Sequence, residues 1–369
     1  MIDVGLHKSP YRCELQPFQS VSALEAVWND LESSSTTSFF QSWAWISSWL
    51  SVLPQAIKPS VLMVFDGAEL VGMGLVTSNK GCAYLNETGI EGIDAVCIEH
   101  NMLLAQKGVE SEVLVCAAHF LLYGNHQYAK LYVSGISQNV ARLVRDFDLG
   151  GERVQVDILS QAPFYTIDLV AAVPYESQLS RNTRYQIKRS LRKYSSFGEI
   201  ELSFPQDIAE AEVFFKRMTV LHRQYWDRKG QDSGFLSEFS QRFHWDMVTK
   251  QYDTGGINLV RVMAGEHEIG YLYLLLKGGV VSVYQTGFHY EASGQFKPGL
   301  VSHYLAVLYY QNAGYKVYDL LAGKSQYKNS LSTDQGEMVW LVFSPNHLWS
   351  GFRRRVTAIL AWLRLRVGV

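Results

Sequence analysis

Residues 296–304 read FKPGLVSHY, a lysine, a proline and a glycine set where an apolar strand-like run gives way to a helix-like one. Proline suits the first turn of a helix, where its missing N–H costs nothing. Glycine lets a backbone approach something closely. A lysine just ahead of a helix N-terminus runs against the helix dipole. The combination makes sense with an anion in the notch, held by free backbone N–H groups and one ammonium; an ordinary helix start with a solvated lysine has the same residues. A second cationic feature is LSRNTRYQIKRSLRKY, residues 179–194. Ser180 can cap a helix there. Arg181, Arg184, Lys188 and Arg192 then form a basic stripe beside an apolar one of Ile187, Leu191 and Tyr194. The stripe fits a phosphate-rich ligand or an anionic surface, and equally a solvated helix face. His222, His244 and His303 are candidate general bases near neutral pH, or hydrogen-bonded structural histidines. His222 and Trp226 lie at i, i+4 on one helix. No Ser-His-Asp order, nucleophilic cysteine context, metal-ligand motif or Walker loop is present in the sequence.

The elements that must position these residues occur twice. Arg12 to Phe18 predicts a strand, and Val21, Leu24, Val27, Trp28 and Leu31 follow helical spacing. Trp45, Trp49 and Leu53 repeat that spacing in FFQSWAWISSWLSVL. SVLMVFDGAELVGMGLVTSN predicts a hairpin about Asp66-Gly67. Val109 to Tyr123 predicts a buried helix and Ala129 to Ser134 a strand. In the second half, INLVRVMAGEHEIGYLYLLLKGGVVSVYQTG holds three strand runs with turns at Ala264-Gly265 and Gly278-Gly279. DGAELVGMGLV aligns with AGEHEIGYLYLL, which places Gly72 opposite Gly270, and HFLLYGNHQYAKLYV resembles LYYQNAGYKVYDLL. The chain reads as two copies of one α/β unit. The expected fold class is α/β (α+β), with two tandem domains at 1–160 and 165–343, each a mixed, mostly antiparallel sheet flanked by helices. A basic amphipathic helix is expected at 347–369.

The chain has 369 residues, 47% hydrophobic and 18% charged, so it is long enough for two domains. Net charge of −2 gives no global nucleic-acid signature. Cys13, Cys82, Cys97 and Cys116 lack metal-like spacing and read as reduced core thiols. No apolar signal core and no run of spanning length appears, so a cytoplasmic protein is expected. The C-terminal segment, with Phe352, Val356, Ile359, Leu360 and Leu363 on one face and Arg353, Arg354, Arg355, Arg364 and Arg366 around it, is either docked on the body or in peripheral contact with an anionic inner-membrane surface.

LHRQYWDRKGQDSGF, YQTGF, KPGLVSHY and YDLLAGKSQYK, with FFQSWAWISSWL and LSRNTRYQIKRSLRKY earlier, resemble tandem GNAT-fold acyltransferases. The group most similar is the CelD-type acetyltransferases associated with polysaccharide biosynthesis, related to the Fem-type aminoacyltransferases. The resemblance covers roughly residues 12–343, is stronger in the second half, and implies acyl transfer, usually from an acyl-CoA. It implies a donor site along Tyr284, Gln285, Thr286 and Gly287, where backbone N–H groups polarise the carbonyl. The pyrophosphate would lie at Lys297, Pro298, Gly299 and Leu300. The glycine-dense loop of simpler GNAT enzymes is replaced here by SGQFKPGL.

The resemblance also implies that Tyr327-Lys328 matches the aromatic-lysine pair of the Fem-like family. Lys328 would bind substrate or stabilise the oxyanion, unless it is a surface lysine, and Tyr327 is either a packing wall or a proton donor to the leaving thiolate. Asp319 ends a strand near where ligands usually bind, or else caps the following turn. His222 lies on the element that borders the acceptor, with Trp226 and Arg228. The first copy's equivalent stretch, NETGIEGIDAVCIEHN, carries Glu87, Glu91, Asp94 and Glu99, which would repel a pyrophosphate. The donor site is therefore expected in the second copy. The acidic segment is either a solvated loop or, through Glu87 and Glu99, part of a pocket for a cationic or hydroxyl-rich acceptor. The expected co-substrate is acetyl-CoA or another acyl-CoA, with direct attack in a ternary complex and no metal. The expected acceptor is a small molecule or glycan precursor. Transfer from aminoacyl-tRNA, with the basic stripe gripping RNA phosphates, and a non-catalytic scaffold are the competing readings.

Overall fold

A computed structural model describes residues 10–124, 128–146, 154–231, 233–235 and 237–345. The expected helix at 347–369 lies outside them. In chain order the elements are β1 (Tyr11–Pro17), α1 (Val21–Ser33), α2 (Trp43–Val52), β2 (Ser60–Asp66), β3 (Glu69–Asn79), β4 (Cys82–Leu85), α3 (Glu91–Asp94), β5 (Leu104–Ala105), α4 (Glu110–Tyr123), β6 (Leu131–Ser137), α5 (Gln138–Asp146) and β7 (Val154–Asp168). There follow α6 (Tyr175–Gln178), α7 (Arg181–Tyr194), β8 (Ile200–Ser203), α8 (Ile208–Arg228), α9 (Glu238–Gln251), β9 (Ile257–Ala264), β10 (His267–Lys277), β11 (Val280–Phe288), α10 (Pro298–Asn312), β12 (Val317–Ala322), α11 (Gln326–Leu331) and β13 (Asp334–Pro345).

Local chemistry sets many of these boundaries. Ser20, Ser42, Ser180 and Asp207 each accept a backbone N–H at the start of α1, α2, α7 and α8. Such a cap is worth about 1 kcal/mol against alanine. The β2–β3 and β9–β10 turns need a left-handed residue, and Gly67 and Gly265 supply it, both at φ +56°. The alignment of the two copies extends to a defect. The β2–β3 register slips past Val71, so that Val64 faces Gly72, and the β9–β10 register slips past Ile269, so that Val262 faces Gly270. Both copies thus carry a β-bulge one residue ahead of the aligned glycine.

The chain divides into two compact units, at Ala162/Pro163. The first orders its strands β1-β2-β3-β4-β6-β13, with β5 beside β3. Its core includes Leu62, Val64, Val113, Leu121, Val133, Ile136, Val339 and Leu341. The second orders β12-β11-β10-β9-β8, with residues 163–168 of β7 beside β12. Its core includes Ile167, Ile187, Val260, Leu272, Val281, Val301, Tyr310 and Tyr318.

The division corrects the expected boundary of 165–343. Residues 239–244 and those from Glu337 onward belong with the first unit. The physical causes are a ring contact and a strand ladder. Phe243 lies edge-on to Trp45 at 4.8 Å, and β13 pairs with β6 from Met338↔Ser137 to Phe343↔Leu131. A second correction concerns the acidic segment, which is no solvated loop. Glu87 is buried and accepts from the Ser134 hydroxyl. Buried Asp94 accepts from the Thr88 amide and hydroxyl and from the Gly89 amide.

Candidate active site

The site is built around a place where the sheet of the second unit opens. Strands β11 and β12 pair in parallel over Val280–Ser282 and Val317–Asp319, and no further. On its other side β11 stays paired with β10 up to Phe288, with a bulge at Tyr284. Past Ser282 the edge of β11 that faces β12 is therefore without a strand partner, which leaves backbone donors and acceptors for a ligand. Tyr284 is buried edge-on to Tyr273 at 5.6 Å; Gln285 and Thr286 are half-buried. Gly287 is a spacing requirement, because a Cβ there would stand 2.4 Å from the Met218 carbonyl oxygen of α8.

Helix α10 starts beside this opening. The Lys297 amide donates to Ser190 Oγ at 2.9 Å, and Pro298 occupies the first turn. No side chain caps the helix, and its first turn holds no acidic residue. The first turn closes through Val301 N–H to Lys297 O at 3.0 Å, which leaves the amides of Gly299 and Leu300 free to bind an anion. A Cβ on Gly299 would lie 3.3 Å from the Phe288 ring. Helix α7 packs on α10 through Ile187 and Tyr194. Arg181, Lys188, Arg192 and Lys193 are exposed, whereas Arg184 donates to the Leu179 carbonyl at 2.7 Å.

Aromatic side chains form the next layer. Tyr327 lies flat on the His303 imidazole, with centroids 5.3 Å apart and planes 6° apart. Among the described residues the Tyr327 hydroxyl has no hydrogen-bond partner, and burial pushes its pKa well above the usual phenol value. That keeps the O–H in place as a donor at physiological pH. His303 is fully buried, with Nδ1 3.0 Å from the Tyr318 hydroxyl and Nε2 without a partner among the described residues. Burial, helped by the nearby Lys328 charge, pushes its pKa down to about 3. Tyr225 stacks on Tyr290 at 5.2 Å, and the exposed Arg228 guanidinium lies 5.6 Å from the Tyr290 ring centre.

Four of the expected site residues have partners within the second unit. His222 is not positioned as a general base. Its Nε2 accepts from the Trp226 indole N–H at 2.9 Å and its Nδ1 is 2.8 Å from Ser233 Oγ, so no lone pair is open to substrate. Burial pushes its pKa down to about 4, opposed by a hydrogen bond to Gln285 that favours the protonated ring. Trp226 is accordingly the partner of His222. Lys328 donates to the Ala322 carbonyl at 2.7 Å and reaches the Leu321 carbonyl at 3.5 Å, which makes it a clamp on the end of β12. Asp319 is buried and accepts from the Leu321 amide at 2.8 Å, and Leu321 has a left-handed backbone at φ +60°. The carboxylate holds that turn, as Asp commonly does. Glu87 and the half-buried Glu99 belong to the first unit.

Sequence reasoning missed Ser190, because only packing reveals that a helix serine meets a loop amide. It also missed His267, His289 and Glu291, which strand register brings together. A cleft of about 330 Å³ lined by Phe204, Tyr252, Asn258 and Tyr309 opens near the C-terminal end of α10, away from the notch.

An open parallel pair beside an uncapped helix start matches the donor site that the GNAT resemblance implies. Residues 181–329 match the acetyltransferase (GNAT) domain family, a segment that contains both features. Over that segment the chain carries a GNAT-type acetyltransferase domain. Curated protein sequences give no match. Among solved structures, the chain is similar to the C-terminal domain of a putative lysylphosphatidylglycerol synthetase from Agrobacterium fabrum, at 8% identity and TM-score 0.57, covering 95% of this chain and 98% of that one. It is similar to FemX at 10% identity and TM-score 0.54, covering 88% and 96%. It is also similar to L-PGS from Bacillus licheniformis at 10% identity and TM-score 0.55, covering 93% and 97%. At these identities the likeness is one of fold. Among the described residues no helix is long and apolar enough to cross a membrane.

Proposed function

We propose that the protein transfers an acyl group, most simply acetyl, from an acyl-CoA to an amine or hydroxyl of a sugar, a polysaccharide precursor or a small metabolite. The observation that carries this is the gap past Ser282 and Asp319, set beside the uncapped start of α10. The donor's diphosphate meets the amides of Gly299 and Leu300 and the Lys297 ammonium. Its amide arm pairs with the free edge of β11. The acceptor nucleophile attacks the thioester carbonyl, the C–S bond breaks, and the proton that the acceptor loses is matched by one taken up at sulfur as the thiol forms. Tyr327 donates a hydrogen bond to sulfur as thiolate character develops, an interaction that strengthens along the reaction coordinate. A CelD-type role in polysaccharide assembly is part of this reading. So is peripheral contact of the basic segment 347–369 with an anionic membrane, a cytoplasmic site of action being assumed.

A second reading has one specific observation in its favour. Arg181, Lys188, Arg192 and Lys193 are exposed on one helix with no carboxylate partner among the described residues, and such a face can track RNA phosphates in an aminoacyl-tRNA-dependent transferase. Calorimetric titration with acetyl-CoA and, separately, with aminoacyl-tRNA tests the two. Saturable one-to-one acetyl-CoA binding supports the first reading. Failure to bind acetyl-CoA, with salt-sensitive binding of tRNA, supports the second.

A further inference from the structure

His267 opens β10, His289 follows the end of β11, and Glu291 stands two residues on. The His289 amide donates to the Ile269 carbonyl at 3.0 Å, which extends the β10–β11 ladder and brings the two histidines to one rim. Their ring centroids are 5.6 Å apart, with planes at 77°. His267 Nε2 is 2.7 Å from Glu291 Oε1, and His289 Nε2 is 3.8 Å from the same oxygen. The ligating atoms of all three lie within 4.8 Å of one another. Side-chain exposures of 24%, 42% and 20% leave the cluster open to solvent ions.

Two further observations point to a ligand here. The Tyr194 ring, fully buried, lies 6.0 Å from the His267 ring, and its hydroxyl has no hydrogen-bond partner among the described residues. A buried, unsatisfied hydroxyl beside an open cluster calls for a water or a bound group. The His267 ring is also held in place, stacked on Phe197 at 4.1 Å with planes 9° apart. A fixed imidazole is what a metal ligand requires.

Zn²⁺ binds imidazole nitrogen and carboxylate oxygen at about 2.0–2.2 Å, so the ligands of a tetrahedral site stand about 3.4 Å apart. The separations here bracket that value, and a rotation of the Glu291 side chain brings them toward it. Two imidazoles and one carboxylate favour Zn²⁺, Co²⁺ or Ni²⁺ over Mg²⁺ or Ca²⁺, which prefer oxygen donors. We propose that His267, His289 and Glu291 form a site for a divalent transition-metal ion, with the fourth position taken by water. Binding displaces the hydrogen bond between His267 and Glu291 and leaves both imidazoles neutral. The ion ties the start of the 289–297 loop to β10. Farther along that loop Phe296 packs on Tyr194 at 4.9 Å and on Phe197 at 5.9 Å, and it directly precedes Lys297. The metal therefore braces the segment that leads into α10.

The test uses tag-free, full-length protein, stripped with chelator and titrated with Zn²⁺ by calorimetry and with Co²⁺ by visible absorption. The expected result is one ion per chain, Co²⁺ bands of tetrahedral type, and a melting temperature that rises with Zn²⁺. His267→Gln with His289→Asn should weaken binding at least tenfold and abolish the bands, while circular dichroism shows the fold intact. Glu291→Gln should weaken Zn²⁺ binding with both histidines in place. Absence of stoichiometric binding by the folded wild-type protein overturns the proposal. So does one-to-one binding that survives in the double variant. Should the double variant not fold, Glu291→Gln decides: unchanged affinity in that variant rejects the site.

Discussion

The backbone N–H of Lys297 donates to the buried hydroxyl of Ser190, 2.9 Å away and 107 positions earlier in the chain. This bond fixes the residue before α10 against α7, and so sets where the free amides of Gly299 and Leu300 point. Ser190→Ala takes the acceptor from a part-buried N–H, at a cost of about 0.5–1.5 kcal/mol. Urea unfolding should show that loss, and calorimetry should show weaker acyl-CoA binding. Lys297→Ala should weaken acyl-CoA binding without that loss of stability, most visibly at low salt. Unchanged affinity in both folded variants would remove the notch from the donor site.

Tyr327→Phe keeps the ring on His303 and removes one hydroxyl. A hydrogen bond to a group that becomes charged is worth about 1.5–3 kcal/mol, or roughly ten- to a hundredfold in rate. Steady-state kinetics should therefore show a fall in kcat with KM little changed. Full turnover by the variant would make the ring a packing wall.

Lys328→Met separates clamp from catalyst. The ammonium holds the carbonyls of Ala322 and Leu321, so its loss should lower stability by about 1.5–3 kcal/mol. Activity should fall with it, in both kcat and KM, as the end of β12 loosens. A kcat reduced a hundredfold in a variant of wild-type melting temperature would instead return Lys328 to the oxyanion.

Acid should destabilise the fold through two histidines. In the folded protein His222 and His303 are held down to about 4 and about 3, from an ordinary value of 6.5. The unfolded chain thus binds more protons below pH 6.5. Their contribution to stability is complete above that pH and is lost as pH falls toward the folded values. Each histidine contributes a slope of about 1.4 kcal/mol per pH unit at most. Urea midpoints between pH 7.5 and 4.5 should fall steeply for wild type and less so for His303→Gln. Equal slopes would mean that the buried imidazoles titrate normally. Because His222 stays neutral through this range, the pH–rate profile between 5.5 and 8 should carry no step that disappears in His222→Asn.

Much of the fold was legible because its signals are local. Gly67 and Gly265 mark turns that need φ near +56°, and the strands around them alternate or run apolar. Ser180 announces α7, and Pro298 announces α10. The roles of site residues were less legible, because they depend on partners far along the chain. Nothing near Lys328 in sequence shows that its ammonium reaches back to the Leu321 carbonyl. Nothing near His222 shows that Ser233, across a loop, takes its other nitrogen. The division of α9 escaped for the same reason: Phe243 is an ordinary helix aromatic until Trp45 is found beside it. The bulges at Val71 and Ile269 are visible only in register, although the aligned glycines already marked the place.

The early end of the β11–β12 ladder has a thermodynamic meaning of its own. Amides along Val283–Phe288 that face the gap have no strand opposite, so their hydrogen exchange reports the occupancy of the gap. A donor lying there acts as a short surrogate strand, and its binding free energy becomes local folding free energy for the region between Ser282 and Tyr327. Donor affinity and the rigidity of this half of the sheet are then one quantity measured in two ways. Any substitution that stiffens the empty gap should change the temperature dependence of binding before it changes the chemistry.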